Sequence, residues 1–333
     1  MTRNRYYQGP ASDHFDGTRF FNPGLPPAGN LSLGAVLKWK LSGDAARWPA
    51  SVPVVPATPE ARVAGVRVTM VGHASLLVQA AGVNILTDPV WSPRASPFRL
   101  AGPKRATAPG IVFDDLPPID AVVLSHGHYD HLDIATLRRL HARDAPLMVM
   151  PLGNDTIVRT GVPGARCIAG DWWDRIVLAD GVATTLTPAY HWSNRWPSDA
   201  RMMLWGGHWL ETPAGSVWFV GDTGYGDGRI FAAVRERLGA PDVALIPIGA
   251  YEPRALMKAQ HVNPEEAVRL FRDVGAARAL GIHWGTFQLT DEAREAPREA
   301  LAAALAAAGV APARFVAAEV GHAYDMAPPP GTM

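Results

Sequence analysis

The chain of 333 residues has one cysteine, no net charge and no long apolar run, and each lack removes a class of protein. Cys167 alone cannot build an internal disulfide framework, which fits a reducing compartment. Lys+Arg and Asp+Glu both total 31, so no overall field favours nucleic acid or an anionic membrane. No window reaches the roughly 18 apolar residues of a spanning helix. The nearest candidate, Leu31 to Leu41, is short and carries Lys38 and Lys40, which reads as a helix docked on the body or lying on a membrane surface. Met1 to Tyr7 has charges with no apolar stretch behind them, which argues against a signal peptide. The expectation is a cytoplasmic protein, peripheral at a membrane at most. Tyrosine is also scarce, at 7 against 11 tryptophans, and several tryptophans stand beside polar motifs.

What is present begins with an arm. Residues 1–60 are rich in Pro, Gly and Asn, with rings at Tyr6, Tyr7, Phe15, Phe20 and Phe21, the composition of an irregular segment held on a body by aromatic packing. From Arg62 onward, short runs of branched residues predict strands: Val66–Val71, Leu76–Val78 and Val83–Leu86, separated by Gly72 and Ala81-Gly82. A loop rich in Pro and Arg fills 89–118. Further strands are expected at Asp120–Leu124, Leu147–Met150, Val182–Leu186, Ser216–Val220, Val243–Ile246 and Ala279–Ile282. Helices are expected after Asp133, between Asn263 and Gly275, and over Arg298–Ala308. No repeat of 20–50 residues is visible. Many strands and few helices predict an α/β sandwich over residues 61–333, two sheets face to face with helices outside.

The strand at Asp120–Leu124 feeds Ser125-His-Gly-His-Tyr-Asp-His-Leu-Asp133. His126, His128, Asp130 and His131 crowd metal-ligand types onto the end of a rigid element, where little freedom is lost when a cation binds. Imidazole and carboxylate suit zinc and other first-row divalent ions. His191, Asp222 and His283 each stand just past another apolar strand, and neighbouring strand ends converge at one sheet edge. The seven residues divide into His126, His128 and His191 for one cation and Asp130, His131 and His283 for a second, with Asp222 bridging. Two divalent ions less two carboxylates and a bridging hydroxide leave a site of about +1, which favours an anionic substrate such as a phosphodiester. His73 is expected behind the ligands. Asp88 reads as orienting a ligand histidine or ending a strand, and Asp133 as the same or as a helix cap.

His126-x-His128-x-Asp130-His131 resembles the HxHxDH signature of the metallo-β-lactamase superfamily. Gly72-His-Ala-Ser75, Leu86-Thr-Asp-Pro89, Gly102-Pro-Lys-Arg105, Asp171-Trp-Trp173, Gly221-Asp-Thr-Gly-Tyr225, Pro247–Pro253, Gln260-His-Val262 and Ile282–Phe287 are similar to the N-acyl-phosphatidylethanolamine-hydrolysing phospholipase D family. The resemblance implies an αββα sandwich of two mixed sheets and a two-zinc phosphodiesterase acting on a glycerophospholipid, with Asp130 and Asp222 in the reaction centre. It also implies that Tyr129 and His261 contact the substrate phosphate or head group. Ser96–Ala101 and Ser193–Trp196 depart from the animal pattern, and Asp222 stands where β-lactamases often use cysteine. Trp91, Phe98, Trp172, Trp173, Trp192 and Trp196 are candidates for an acyl channel or for ordinary packing. Arg94, Arg99, Lys104 and Arg105 are candidates for lipid phosphates or a solvated loop. Two other readings stay open: a metal-dependent lactonase of the sugar-phosphate lactonase branch, and a non-catalytic lipid-binding, envelope-associated protein. Transient membrane contact and a homodimer are both compatible with the sequence, and nucleic acid is not expected as a partner.

Overall fold

The structure is a computed structural model describing residues 3–25 and 43–326, with residues 34, 38, 39 and 41 between them. Most of the helix expected at Leu31–Leu41 lies outside the described residues. One sheet holds β1 (Val66–Gly72), β2 (Ser75–Ala80), β3 (Val83–Thr87), β4 (Ala121–Val123), β5 (Leu147–Pro151) and β6 (Arg166–Gly170) in sequence order. The other holds β7 (Arg175–Ala179), β8 (Val182–Thr187), β9 (Gly207–Thr212), β10 (Gly215–Phe219), β11 (Val243–Pro247), β12 (Arg278–Ile282) and β13 (Phe315–Ala317). The last strand, β14 (Ala323–Asp325), returns to pair with β1.

Both sheets are mixed. β1 to β3 are antiparallel and β3 to β6 parallel, while β7 to β10 are antiparallel and β10 to β13 parallel. Alternating residues sort by face. Val68, Met70, Leu76 and Val78 meet Leu210, Val217, Phe219 and Leu245 between the sheets. The opposite faces carry Leu77, Leu86 and Val122 against α1 (Ile134–Asp144) and α2 (Asn154–Gly161). On the far side Trp218, Ala244 and Ile246 lie under α3 (Arg229–Leu238), α5 (Pro264–Val274) and α6 (Ala296–Ala307), and α4 (Arg254–Met257) is a single turn. This is the four-layer αββα arrangement expected, with strands buried on both faces and so written as continuous apolar runs. α2 and α3 were not expected.

Local chemistry sets the helix ends. Asn263 accepts from Glu266 N at 2.9 Å while Glu266 reaches back to Asn263 N at 3.2 Å, and Gly275 ends α5 in the left-handed region. Asp133 caps α1 and also accepts from Ser92 N, tying the 89–118 loop to the metal-motif side of the sandwich.

Candidate metal centre

Because β2 and β9 run against their neighbours, the C-terminal ends of β1, β3 and β4 share one edge of their sheet, and those of β8, β10 and β12 share one edge of theirs. Just beyond these ends stand His73, Asp88, His126, His191, Asp222 and His283. The two edges meet. His126 Nε2 lies 2.8 Å from His128 Nδ1, which lies 3.3 Å from His191 Nε2. Beside them, His131 Nε2 is 3.2 Å from His283 Nε2 and 3.3 Å from Asp130 Oδ2. Asp222 joins the groups: its Oδ2 is 3.1 Å from both His131 and His283 and 3.8 Å from His191. All seven residues that the sequence singled out therefore come to one place.

Imidazole nitrogens brought this close repel through their lone pairs unless something positive lies between them. His128 Nε2 and His261 Nδ1 are buried without a hydrogen-bond partner. The donor set thus fits divalent cations. The groups behind it fix which nitrogen faces inward. His191 Nδ1 donates to Gln260 O at 2.9 Å, and His131 Nδ1 faces Asp88 Oδ2 at 2.6 Å. Asp88 also accepts from the Ser125 amide, so it locks the start of the ligand loop. A cation grouping that counts Asp88 as a ligand is geometrically available, but the Nδ1 contact places Asp88 behind His131. His73 Nε2 lies 2.9 Å from Asp130 Oδ2, and its ring centroid is 3.8 Å from that of His283. Three residues of this centre, His73, Asp88 and His283, have positive φ, a backbone cost of about 1–3 kcal/mol each that the surrounding contacts must offset.

Burial alone would empty the centre of charge, and it does so for five of its histidines, His73 and His261 among them. It pushes His126 well below the usual imidazole range, His128 to about 3 and His191 to about 4, with neighbouring histidines adding to the effect on His126 and His128. These rings are neutral and ready to ligate. For His131 and His283 burial pulls the same way, but Asp222 and Asp130 outweigh it, and His283 rises to about 9. Burial resists charge on Asp130 and Asp222 as well, yet the facing histidines hold both well below the carboxylate range.

Comparison with known proteins agrees with this geometry. A β-lactamase superfamily domain matches residues 83–284. The chain is 39% identical over 246 residues to the N-acyl-phosphatidylethanolamine-hydrolyzing phospholipase D 1 of Caenorhabditis elegans, covering 71% of this chain and 69% of that one. The chain belongs to the β-lactamase superfamily. It is also 37% identical over 294 residues to an uncharacterized protein of Mycobacterium tuberculosis, covering 84% of this chain and 77% of that one. An isothiocyanate hydrolase from Delia radicum gut bacteria shares the fold at a TM-score of 0.62 and 19% identity, over 78% of this chain and 99% of that one. Relatives in the superfamily are named metal-dependent hydrolases, and this chain is one.

Around this β-lactamase superfamily centre, Tyr129 lies half-buried between His128 and Asp130. His261 brings Nδ1 to 4.0 Å from Asp222 Oδ2, and burial holds its ring neutral, against the pull of Asp222. Two residues here escaped the sequence reading. Arg195, largely buried, donates to Gly127 O at 3.0 Å and Leu132 O at 2.8 Å and lies 3.5 Å over the Tyr129 ring. Fully buried Asp199 accepts from the Arg195 and Trp196 amides and from Arg5 and the Tyr6 hydroxyl. Arg195 fell within a stretch singled out only for departing from the animal pattern where acyl specificity would be set, and neither residue leaves a sequence pattern because most of the partners are backbone atoms. The six candidate channel aromatics separate. Trp172 stacks on His14, Trp173 sits under Arg237 and Trp91 bonds Ile111 O, whereas Trp192 lies edge-on to His128 and Phe98 meets Trp196. Arg105 is buried, bonded to Ser92 O and Val90 O, which removes it from the lipid-facing candidates.

Proposed function

We propose that the chain is a dinuclear zinc phosphodiesterase that hydrolyses the head-group side of a glycerophospholipid; its Caenorhabditis elegans relative is named an N-acyl-phosphatidylethanolamine-hydrolyzing phospholipase D. The observation that carries this reading is Asp222 Oδ2, within 3.1 Å of His131 and His283 and 3.8 Å of His191, a carboxylate oxygen that faces the inward nitrogens of both halves of the centre. His126, His128 and His191 would hold one cation, Asp130, His131 and His283 the other, and Asp222 both. Bound there, the pair would supply Lewis acidity towards phosphoryl oxygens and water acidified to near neutrality.

The chain's own residues supply the rest. Asp88 and the Gln260 carbonyl keep His131 and His191 turned inward. Arg195 holds the carbonyls on either side of His128–His131, and so sets where the Tyr129 hydroxyl can reach. His261, neutral and with Nδ1 unpartnered, is placed to hydrogen-bond a phosphate oxygen or the leaving alcohol. Water adds to phosphorus, the head-group oxygen leaves with a proton, and phosphatidate remains.

The test is to load the purified chain with zinc, offer a panel of phospholipids that includes N-acylated phosphatidylethanolamine, and identify the fragment released by mass spectrometry. Asp222→Ala is expected to lose at least one of two bound metals and to abolish turnover. Two metals and full activity in that variant would rule out the bridging role.

A further inference from the structure

Nine large apolar side chains are exposed among the described residues, and three of them share one rim. Phe98 is 57% exposed, Leu100 91% and Trp196 46%, and the Phe98 and Trp196 rings meet edge to face with centroids 6.4 Å apart. Phe98 and Leu100 stand at a cavity of about 670 Å³ whose wall includes Tyr129 and Arg195, so the rim borders the metal centre. The charge there has one sign. From Val90 to Val112 the sequence has no aspartate or glutamate but four cations, of which Arg99 and Lys104 are exposed. The one carboxylate in the cavity wall, Asp133, is buried and occupied by Ser92, Ala135 and Thr136.

We propose that this rim docks the enzyme on an anionic lipid surface, with Phe98, Leu100 and Trp196 entering the head-group layer and Arg99 and Lys104 against lipid phosphates. Tryptophan settles at the membrane interface because its ring is apolar with a polar N–H, phenylalanine and leucine gain by burying apolar area there, and arginine and lysine are drawn to the negative potential of anionic leaflets. Charge decides against a second copy of the chain as the occupant. A two-fold interface would set this cationic rim against itself, whereas an anionic bilayer supplies the opposite sign. The inference draws its purpose from the phospholipase reading, since docking would bring a membrane substrate to the mouth beside Tyr129.

The experiment uses the full chain and vesicles of phosphatidylcholine with or without phosphatidylglycerol, read by co-sedimentation. Wild-type protein is expected to bind the anionic vesicles at least tenfold more tightly than the neutral ones, less so as salt rises. Phe98→Ser combined with Leu100→Ser should weaken binding at least tenfold to both compositions. Arg99→Glu combined with Lys104→Glu should abolish the preference for anionic vesicles and its salt dependence. Both variants should hydrolyse a water-soluble phosphodiester without acyl chains at the wild-type rate, which shows that they fold. Wild-type protein left in the supernatant, an apolar-rim variant that sediments like wild type, or a dimer lost in that variant by analytical ultracentrifugation would each overturn the proposal. Vesicle binding is read without turnover and soluble hydrolysis without vesicles, so rim-dependent binding with no phosphodiester cleavage would sink the phospholipase reading alone.

Discussion

Arg195 shows how a side chain without chemistry of its own can govern a reactive loop. It donates to carbonyls on either side of His128, Asp130 and His131, and its guanidinium covers Tyr129, while burial lowers its pKa. Arg195→Met would leave two carbonyls bare and free the loop, and partners of this kind are worth about 10–100-fold in metal affinity or activity. Arg195→Lys can reach one carbonyl but not both, so it should fall between. Zinc titration against a competing chelator reads the series, and equal affinities in all three proteins would remove Arg195 from the site. The residues that converge at the centre were legible as candidates. Four of them lie within six residues on one loop, and His191, Asp222 and His283 follow apolar runs, so side-chain type plus strand-end position found them. Arg195 and Asp199 were not legible, because Arg195 bonds distant carbonyls and Asp199 joins nearby amides to Arg5 and Tyr6 far off in the chain, and neither leaves a pattern of residue types.

Among the elements, the N-terminal arm is tied to the centre more directly than its composition suggested. Arg5 and Tyr6 satisfy Asp199, which in turn holds the amide of Arg195, and Phe15 and Phe20 pack with Leu204, Trp205 and Ala189, the last just before His191. His14 clips the arm down further out: Nε2 lies 2.8 Å from Asp171 and Nδ1 2.6 Å from Asp13. Burial lowers the His14 pKa, but the two carboxylates outweigh it and the net shift is upward. A raised folded-state pKa gives stability that is fully present below the unfolded value near 6.5 and is lost as pH rises through the folded value. Proteolysis within residues 3–25 should therefore accelerate as pH rises above neutral, and His14→Gln should flatten that profile. A profile unchanged by the substitution would put the clip elsewhere. Most strands buried on both faces were legible because unbroken branched runs have few other uses, but β9, where His208 and Glu211 interrupt the apolar run, was not. Edge strands β6 and β7 were not, since half of each faces solvent. α2 has only eight residues, and α3 offered Phe231 and Val234 as a face that the reading passed over.

At the scale of the molecule, the two sheets repeat one plan, antiparallel strands followed by four parallel ones, although no sequence repeat announces it. Hydrogen-bond topology constrains backbone direction and burial, not residue identity, so the plan survives where sequence likeness does not. The consequence is thermodynamic. His126, His128, Asp130 and His131 follow the first sheet and His191, Asp222 and His283 the second, so a cation held as proposed would take ligands from both halves. An unfolded chain cannot gather them, and binding free energy becomes folding free energy. At free metal one hundred times Kd each site adds about 2.7 kcal/mol, so two sites should raise Tm by several degrees rather than tenths of a degree. Calorimetry on chelated and zinc-restored protein measures the shift. Asp222→Ala should lose more than half of it, because that carboxylate touches ligands carried by both sheets. An unchanged Tm in protein shown by mass spectrometry to hold two zinc ions would mean that the cations bind without spanning the sheets, and the shared centre would have to be redrawn.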